Sequence, residues 1–513
     1  MAGPGSTLLG VTCSAAGSRR SVNESVTRVA SAHITLEEDP LPVKLLPIIL
    51  IACLVLPAFG QDQTEPPRTA SQVPADADGS SAATPSGGTD GLAERWNLYY
   101  QATSIGQRHG TFNAPYEGTL SLRNYSENVV SLTTTLFLGL RLDSNTQLYF
   151  DPEIAGGRGF SGVNGIANAP NGELPRVASA TPKPYLARLY ISHDFGFGAE
   201  KERVDSDANQ LAGDRPMTRY TVTIGRFSLE DFFDANTYTH DPRTQFIAWS
   251  VMYNGAWDYP ADTRGYTWGW VHEFHTRNWS LRYGSAAEPK KANGLRFDRR
   301  LFRDRADAFE GERRYSFGTR GGAVRVLGYL NHTDSGSYAD AVHLADQTGT
   351  TPDITAVHRP GTLKYGFGLN LEQQISRDAG IFTRLGWNDG KTQDFAFTAI
   401  DRLASGGVSV RGAKWKRKDD VAATSFTASG ISGVHAVYLA RGGLDFLIGD
   451  GKLKYAPEYV WESYYDARLF RGFFATLDLQ RVINPAFNQD RGPLWIEGIR
   501  LHMEFGLRPF SAK

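Results

Sequence analysis

The sequence predicts an all-β fold, a closed antiparallel transmembrane β-barrel of about 16 strands. Three observations lead to this fold class. Hydrophobic and polar residues alternate at period two along most of residues 93–505. Aromatic residues cluster near the ends of these runs, as the girdles of membrane barrels require. Short turns alternate with long polar loops, which is typical of outer-membrane barrels. The alternating region, residues 93–505, is also too long for a single soluble sandwich.

Composition argues against a bundle of transmembrane helices. Hydrophobic residues make up 41% of the 513-residue chain, aromatic residues 12%, and the mean hydropathy is -0.35. A spanning helix needs about 20 consecutive apolar residues. The 54 basic and 55 acidic residues nearly cancel, so no overall field indicates nucleic acid or a membrane surface as a partner.

The first 92 residues are predicted to precede the barrel in two parts. Residues 1–60 comprise an upstream extension and a signal peptide, whose apolar core is residues 45–59 and whose cleavage is expected before Gln61. This core is too short for a spanning helix. Residues 61–92 are rich in Pro, Ala, Ser, Gly and Asp, which predicts a flexible linker.

The start of the mature chain has two interpretations. Polar, serine-rich residues ahead of the apolar core are unusual in a signal peptide, so we expect translation to begin at Val43. The alternative treats the sequence LIAC, which ends at Cys53, as a lipoprotein cleavage box, although the apolar run continues beyond it. Cys13 and Cys53 are the two cysteines of the chain, so removal of the leader leaves a mature protein without thiols. That suits an exported, oxidising location.

The period-two pattern is clearest in SLTTTLFLGLRL, residues 131–142. Leucine occupies the even positions except Thr134, and the odd positions are mostly polar or small. In a membrane barrel the apolar face meets lipid and the polar face lines water. We therefore expect the leucines outside and Arg141 on a water-lined wall.

Further strands and connections follow along the chain. Alternating runs predict strands at residues 364–374, 381–388, 452–465 and 499–505. Turns are predicted at 377–380 and 448–451, and long polar loops at 155–184, 285–320 and 333–363. At about 23 to 26 residues per strand with its connection, the barrel has about 16 to 18 strands and an aqueous channel rather than a packed interior.

Several separate blocks resemble one known family. They are YYQATSIGQRHGTFNAPYEGTLSL (99–122), PEIAGGRGF (152–160), ARLY (187–190), GRFSLEDFFDANTYTHDPRTQF (225–246), LQRVINPAFNQDRGPLW (479–495) and RLHMEF (500–505). In this order, and with a D-x-F-D-x-N loop followed by H-D-P-R, the blocks resemble the carbohydrate-selective porin (OprB) family. The resemblance covers essentially residues 93–505.

The resemblance implies a monomeric, 16-stranded porin of the bacterial outer membrane. Such a porin passes mono- and oligosaccharides and other small hydrophilic solutes by facilitated diffusion through a charged, narrowed eyelet. The expected partners are sugars, outer-membrane lipid and lipopolysaccharide, and the barrel-assembly machinery, with no cofactor. One departure is that Phe505, the expected terminal aromatic, is followed by residues 506–513, GLRPFSAK. We expect these residues to form a short extension or to supply Phe510 as the terminal aromatic.

A channel that favours sugars needs planar donors and acceptors for hydroxyl groups and aromatic faces for C–H groups. Lumen-facing side chains expected from the alternation are Gln101, Thr103, Arg141, Glu153, Arg188, Tyr190 and Arg384. Gln107 and Arg226, which lie within the resembling blocks, are further pore-lining candidates. Arginines and carboxylates facing each other across a pore also create a transverse field that orients polar solutes. The alternative role for each residue is wall structure, paired with a neighbouring charge.

The loop LEDFFDANTYTHDPR, residues 229–243, concentrates polar groups beside two phenylalanines. Its candidate residues are Asp231, Asp234, Asn236, His240, Asp241 and Arg243. Such a loop can fold inward as a constriction. A calcium site is the alternative, but the spacing of the acids does not match an EF-hand.

Other motifs argue against metal binding, catalysis and nucleic acid. In HEFH, His272 and His275 would point to opposite faces of a strand, so no metal site is expected. No nucleophile motif such as G-x-S-x-G accompanies the acidic pair of the 229–243 loop, so an enzyme is not expected. The basic run at 414–420 is followed directly by acids and predicts a solvated hairpin rim that contacts lipopolysaccharide phosphates or water.

Two other functions stay open at this point. One is an outer-membrane barrel enzyme acting on lipid or glycan, which would need a Ser/His or Asp/His constellation on one rim. The other is a secreted, β-rich protein that binds polysaccharide.

Overall fold

Alternating apolar and polar side chains form sixteen antiparallel strands in the computed structural model, which describes residues 93–174, 180–300, 303–395 and 399–507. The strands are β1 Trp96–His109, β2 Glu127–Arg141, β3 Thr146–Gly157, β4 Lys183–Val204, β5 Gly213–Phe227, β6 Thr267–His275, β7 Trp279–Ala287, β8 Arg305–Phe317, β9 Arg320–Ser335, β10 Arg359–Ser376, β11 Ala379–Asn388, β12 Arg402–Gly412, β13 Arg417–Gly430, β14 Glu458–Phe470, β15 Phe473–Ile483 and β16 Leu494–Leu507. The predicted leader, linker and residues 508–513 lie outside the described residues, and β16 runs two residues beyond Phe505.

The sheet is a closed barrel in which each strand pairs with its neighbours in sequence. Closure occurs between the first and last strands, where Leu98 is opposite Leu507. The other edge of β1 pairs with β2, and Trp96 is opposite Leu140. Closure gives each strand two hydrogen-bonded neighbours, which is the condition for a β-sheet to survive in lipid. The predicted barrel and its strand number are confirmed.

The two faces of the barrel are arranged as the alternation predicts. On β2, Thr133 and Thr135 point inward and are buried, whereas Leu138 and Leu140 point outward. Arg141 ends the strand on the inner side. An outward apolar face is stable in hydrocarbon because the side chains remain in an apolar solvent. The leucines therefore face lipid.

The connections differ between the two ends of the barrel. At the short-turn end, the connections are 142–145, 205–212, 276–278, 318–319, 377–378, 413–416 and 471–472. At the long-loop end, they are 110–126, 158–182, 228–266, 288–304, 336–358, 389–401, 431–457 and 484–493. The start of β1 and the end of β16 both lie at the short-turn end.

Three predicted boundaries were wrong. Strand β14 begins at Glu458, so residues 452–457 and the expected turn at 448–451 belong to the 431–457 loop. Pro457 lacks the N–H that a central strand position needs, which explains the late start. The expected loop 285–320 contains β8. Glu310 and Glu312 lie on its inward face, and Asp307 and Arg313 lie on its outward face. Charges on both faces concealed the alternation.

Where the structure describes the long loops, they contain three α-helices: α1 Trp249–Met252, α2 Tyr338–Thr348 and α3 Gly433–Ala440. Ser337 and Ser432 cap α2 and α3 by accepting hydrogen bonds from backbone N–H groups of the first turn. Among the described residues, no helix combines the length and the apolar character that a membrane-crossing helix needs.

Part of the barrel interior is a packed core rather than an open channel. The 228–266 loop places Phe233, Trp249 and Trp257 against the inward face of the wall, including Leu327 and Tyr329. All of these side chains are buried. The loop therefore narrows the lumen, whereas the strand pattern alone predicted an aqueous interior.

Candidate functional site

The β5–β6 loop, residues 228–266, enters the lumen through a tight first turn. A 3₁₀ turn at Leu229–Asp231 carries a capping box between Ser228 and Asp231, which satisfies backbone donors at its start. Asp234 has a left-handed backbone (φ 55°), a conformation that Asp tolerates better than most residues. This turn directs the following residues into the barrel.

Asp234 fastens the loop to the opposite wall. Its carboxylate accepts hydrogen bonds from Asn370 Nδ2 at 2.7 Å and from the backbone N–H of Asn254 at 2.8 Å. It also pairs with Arg384 Nε at 2.9 Å. Asn370 belongs to β10, Arg384 to β11 and Asn254 to a later part of the same loop. Asp234 therefore joins the start of the loop to two wall strands and to the loop's own middle part.

Arg384 and Asn236 complete this attachment. Arg384 is fully buried and donates to the carbonyl oxygens of Val251 (2.9 Å), Asp234 (3.0 Å) and Thr239 (2.8 Å). Asn236 donates to Asn370 Oδ1 at 2.8 Å and is also buried. Arg384, Asp234 and Asn236 lie on the inner side of the barrel, but the loop covers them and leaves almost no surface for a solute.

Arg243 is a second attachment point, on the other side of the lumen. Its guanidinium pairs with Glu153 at 3.0 Å and with Glu173, in the β3–β4 loop, at 3.1 Å. Longer contacts of 3.4 Å reach Thr135 and Gln101. Arg243 therefore ties two inward loops to β1, β2 and β3.

Glu153 receives more donors than Arg243 alone supplies. Thr135 Oγ1 donates at 2.5 Å, Tyr185 Oη also donates, and Tyr266 Oη lies at 3.3 Å. Glu153 and Arg243 are almost fully buried. Both residues lie on the inner side of the barrel, where they form a covered network.

Arg188 and Asp231 differ from these pairs because both retain solvent exposure. Arg188 donates from Nε and Nη2 to the two carboxylate oxygens of Asp231, at 2.7 and 2.5 Å. The side chains are 12% and 25% exposed. Asp151 lies 3.5 Å from the same guanidinium, and the Tyr266 ring lies 5.3 Å from it.

Two aromatic rings lie beside this ion pair. Tyr190 is on the inner face of β4, two residues after Arg188, and its ring centroid is 6.4 Å from that of Phe232. Both rings are only partly buried against the loop core. We call Arg188, Tyr190, Asp231 and Phe232 the eyelet cluster.

The remaining predicted residues bond to wall or loop groups. Thr103 bonds His502 at 2.8 Å, and Gln107 donates to the carbonyl oxygen of Pro170 at 2.8 Å. Arg226 pairs with Asp262 at 2.7 Å. Arg141 lies at the short-turn end, where it donates to backbone carbonyls of Glu94 (2.9 Å) and Ala212 (3.2 Å).

Sequence reasoning missed Asp151 and an ion-pair ladder across β6 to β9. Arg282 on β7 lies 3.2 Å from Glu273 and 2.8 and 2.9 Å from Glu310 and Glu312. Each of these residues lies on the inward face, next in sequence to a side chain that faces lipid. Counting every second residue from the lipid-facing aromatic residues of these strands would have predicted them.

Among the described residues, one group of donors is close enough to suggest a metal site. Ligand atoms of Asp394, Asp401 and His435 lie within 4.8 Å of one another. However, Lys364 pairs with Asp394, and both nitrogens of His435 lie against carboxylates, Asp401 at 3.2 Å and Asp445 at 2.8 Å. Because cations of the chain already face these acids, the group is best described as a charge network.

The HEFH histidines occupy opposite faces of β6, as expected. His272 points outward and its Nδ1 lies 2.7 Å from Tyr220 Oη. His275 points inward and lies 3.2 Å from Glu273. The two imidazoles therefore belong to different environments.

Comparison of the chain with protein-family models matches residues 131–505 to "Carbohydrate-selective porin, OprB family". This match spans most of the chain. The chain belongs to the OprB family of carbohydrate-selective porins. A search of curated proteins found no matching sequence.

The solved structure of one outer-membrane porin shares the fold of this OprB-family porin. The high-pH structure of Pseudomonas putida OprB matches with a TM-score of 0.58 at 15% identity, covering 80% of this chain and 94% of that one. The outer membrane channel DcaP of Acinetobacter baumannii matches with a TM-score of 0.45 at 8% identity, covering 80% and 97%.

Family membership establishes this chain as an outer-membrane channel for carbohydrates. The predicted family, function and location are therefore confirmed. In such barrels the short turns face the periplasm and the long loops face the exterior. The short-turn end is accordingly the periplasmic end of this porin.

Proposed function

We propose that the eyelet cluster is where this porin selects its sugar. The observation that supports this proposal is the exposure of the Arg188 and Asp231 ion pair, with partly exposed rings of Tyr190 and Phe232 at its side. The neighbouring pair of Arg243 and Glu153, by contrast, is covered by loops. A solute in the lumen can reach the first pair and not the second.

The chemistry of the eyelet cluster suits a neutral, hydroxylated solute. Arg188 offers planar donors, Asp231 offers acceptors, and both can exchange part of their mutual bond for sugar hydroxyls. The rings of Tyr190 and Phe232 offer faces for the C–H groups of a pyranose. Charges held in a pair also make the site less attractive to a free ion of either sign.

The test is sugar block of single-channel current in planar bilayers, with Asp231→Asn and the double variant Arg188→Met/Asp231→Asn. We expect weaker block by about tenfold or more, because hydrogen bonds to charged groups contribute about 1.5–3 kcal/mol each. Arg481→Ala is the matched control, since Arg481 lies on the outer face over Trp495. Block that is unchanged in both eyelet variants would remove this assignment.

We further propose that the channel is passive, without catalysis, in line with the channel character of its family. The burial of the hydroxyls beside two inward histidines supports this proposal. His502 bonds Thr103, and His275 contacts Ser280 and Glu273. Thr103 and Ser280 are buried in the wall, so neither hydroxyl is open to a bound substrate.

The environment of the barrel is also a proposal. We propose a monomer, inserted by the barrel-assembly machinery after its signal peptide is removed, with the linker and C-terminal extension in the periplasm. Lipopolysaccharide would contact exposed basic residues at the long-loop end, such as Lys290 and Arg303. The basic run at 414–420 was expected to contact lipopolysaccharide phosphates or water. Because this run lies at the periplasmic end, we propose that it contacts water.

A further inference from the structure

The β4–β5 hairpin is longer than the wall around it. Strand β3 pairs with β4 only as far as His193, and β6 pairs with β5 only as far as Arg219. The pairing of β4 with β5 nevertheless continues to Val204 opposite Gly213. Residues 194–218 therefore extend beyond the barrel rim at the periplasmic end.

The extended hairpin bends at a β-bulge that contains glycine. The register of β4 against β5 shifts between Phe197 and Lys201, which marks a bulge. Gly198 lies in the bulge with φ 80°, a backbone conformation that favours glycine. A Cβ on Gly196 would lie 2.5 Å from the Pro216 ring, so glycine also allows the two strands to close together at the bend.

The tip of the hairpin, residues 205–212, contacts the inner wall. Asn97 Nδ2 on β1 donates to the carbonyl oxygens of Asp207 (3.1 Å) and Gln210 (2.8 Å). Arg141 on β2 donates to Ala212, as described above. Leu211 is only 1% exposed, so the tip packs against the periplasmic mouth of the lumen and does not project freely from the rim.

One residue of the tip reaches toward the eyelet cluster. Asn209 has a left-handed backbone (φ 56°) and donates from Nδ2 to Asp151 Oδ2 at 2.8 Å. The same oxygen of Asp151 lies 3.5 Å from Arg188 Nη1. The tip is thus separated from the eyelet cluster by a single side chain, that of Asp151.

We propose that residues 205–212 form a second constriction, at the periplasmic mouth, which a sugar meets in series with the eyelet cluster. The tip carries the polar side chains of Asp207, Asn209 and Gln210, which hold acceptors and donors of the kind that bind sugar hydroxyls. Asn209 fixes the tip against Asp151 and so sets the width of this exit. The proposal depends on the channel function and not on Arg188 being the sugar contact.

The first test uses cysteine modification. In a chain with Cys13 and Cys53 replaced by serine, Ala208→Cys provides one thiol at the tip, and Asn145→Cys provides one in the exposed β2–β3 turn. A cationic methanethiosulfonate reagent should lower single-channel conductance of the Ala208→Cys porin by about half, since it adds bulk in the permeation path. A reductant should restore the current, and the Asn145→Cys porin should not respond. An unchanged current after complete labelling of Ala208→Cys would overturn the proposal.

The second test removes only the Asn209 side chain. Asn209→Gly retains a residue suited to the left-handed backbone, but it deletes the bond to Asp151. We expect a higher conductance and weaker sugar block. Asn484→Gly is the matched control, because Asn484 is also left-handed (φ 55°) and donates one side-chain bond, to Pro457, in a loop at the other end of the barrel. Equal conductance of Asn209→Gly, Asn484→Gly and the unaltered porin would also contradict the proposal. If the unaltered porin itself carried no current, that result would contradict the channel function.

Discussion

Replacing Arg384 with methionine is expected to detach the β5–β6 loop from β11 and to raise the single-channel conductance. The guanidinium lies within the loop and holds the carbonyls of Val251 and Thr239 as well as the Asp234 carboxylate. Methionine fills much of the same volume but donates no hydrogen bond. Removing one partner of a buried ion pair costs about 3–5 kcal/mol because the remaining charge stays without compensation.

The measurement combines conductance with the temperature at which the folded barrel converts to the unfolded form in detergent gels. Both should change in Arg384→Met, with a wider pore and a lower conversion temperature. The matched control is Arg441→Met, since Arg441 pairs with Asp346 at 46% exposure. An exposed pair contributes about 0–1 kcal/mol, so this variant should behave like the unaltered porin. If Arg384→Met also kept the conductance and conversion temperature of the unaltered porin, the position of the loop would not depend on Arg384.

The barrel could be predicted from sequence because its main rule is local. Every second residue of a strand faces lipid, and lipid accepts leucine but not charge, so SLTTTLFLGLRL shows its orientation without any tertiary information. The rule is less reliable in strands that carry charged residues on both faces or that begin next to a proline. In β8, Asp307 and Arg313 on the outward face, together with Glu310 and Glu312 on the inward face, concealed the strand. Pro457 delayed the start of β14.

The candidate site was predicted less completely, because alternation gives the face of a residue but not its height or what covers it. Arg384 and Asn236 were expected beside water and are covered by the loop. Arg141 faces inward at the periplasmic mouth. Asp151 lies two residues before Glu153, so the same alternation places it on the inward face. The path of the 228–266 loop follows no period and depends on distant partners such as Asn370.

Raising the pH is expected to weaken the loop cap at the long-loop end through His435. This residue lies in the first turn of α3, its ring stacks on Tyr338 at 4.1 Å, and its nitrogens lie against Asp401 and Asp445. Burial alone would lower the pKa of His435, but the two carboxylates outweigh burial and raise it to about 10. The imidazolium therefore persists at neutral pH.

The direction of the pH effect follows from this shift. An unfolded histidine titrates near about pH 6.5, so the cationic form stabilises the folded cap fully below that pH. The contribution declines as the pH rises and is lost as the pH passes through the folded pKa of about 10. Above it, a neutral ring faces two carboxylates in a buried cluster that has lost one of its cations.

His435→Gln should therefore be less stable than the unaltered porin at about pH 7 and should lose less stability between about pH 7 and pH 11. The conversion temperature in detergent gels at the two pH values measures both effects. His343→Gln is the control, because His343 is an exposed residue of α2 that bonds only Gln347 among its described contacts. That variant should keep the full pH dependence. Equal alkaline losses in the two variants would mean that His435 is not the titrating group, and the stability of the cap would then rest on Lys364, the other cation that faces these acids.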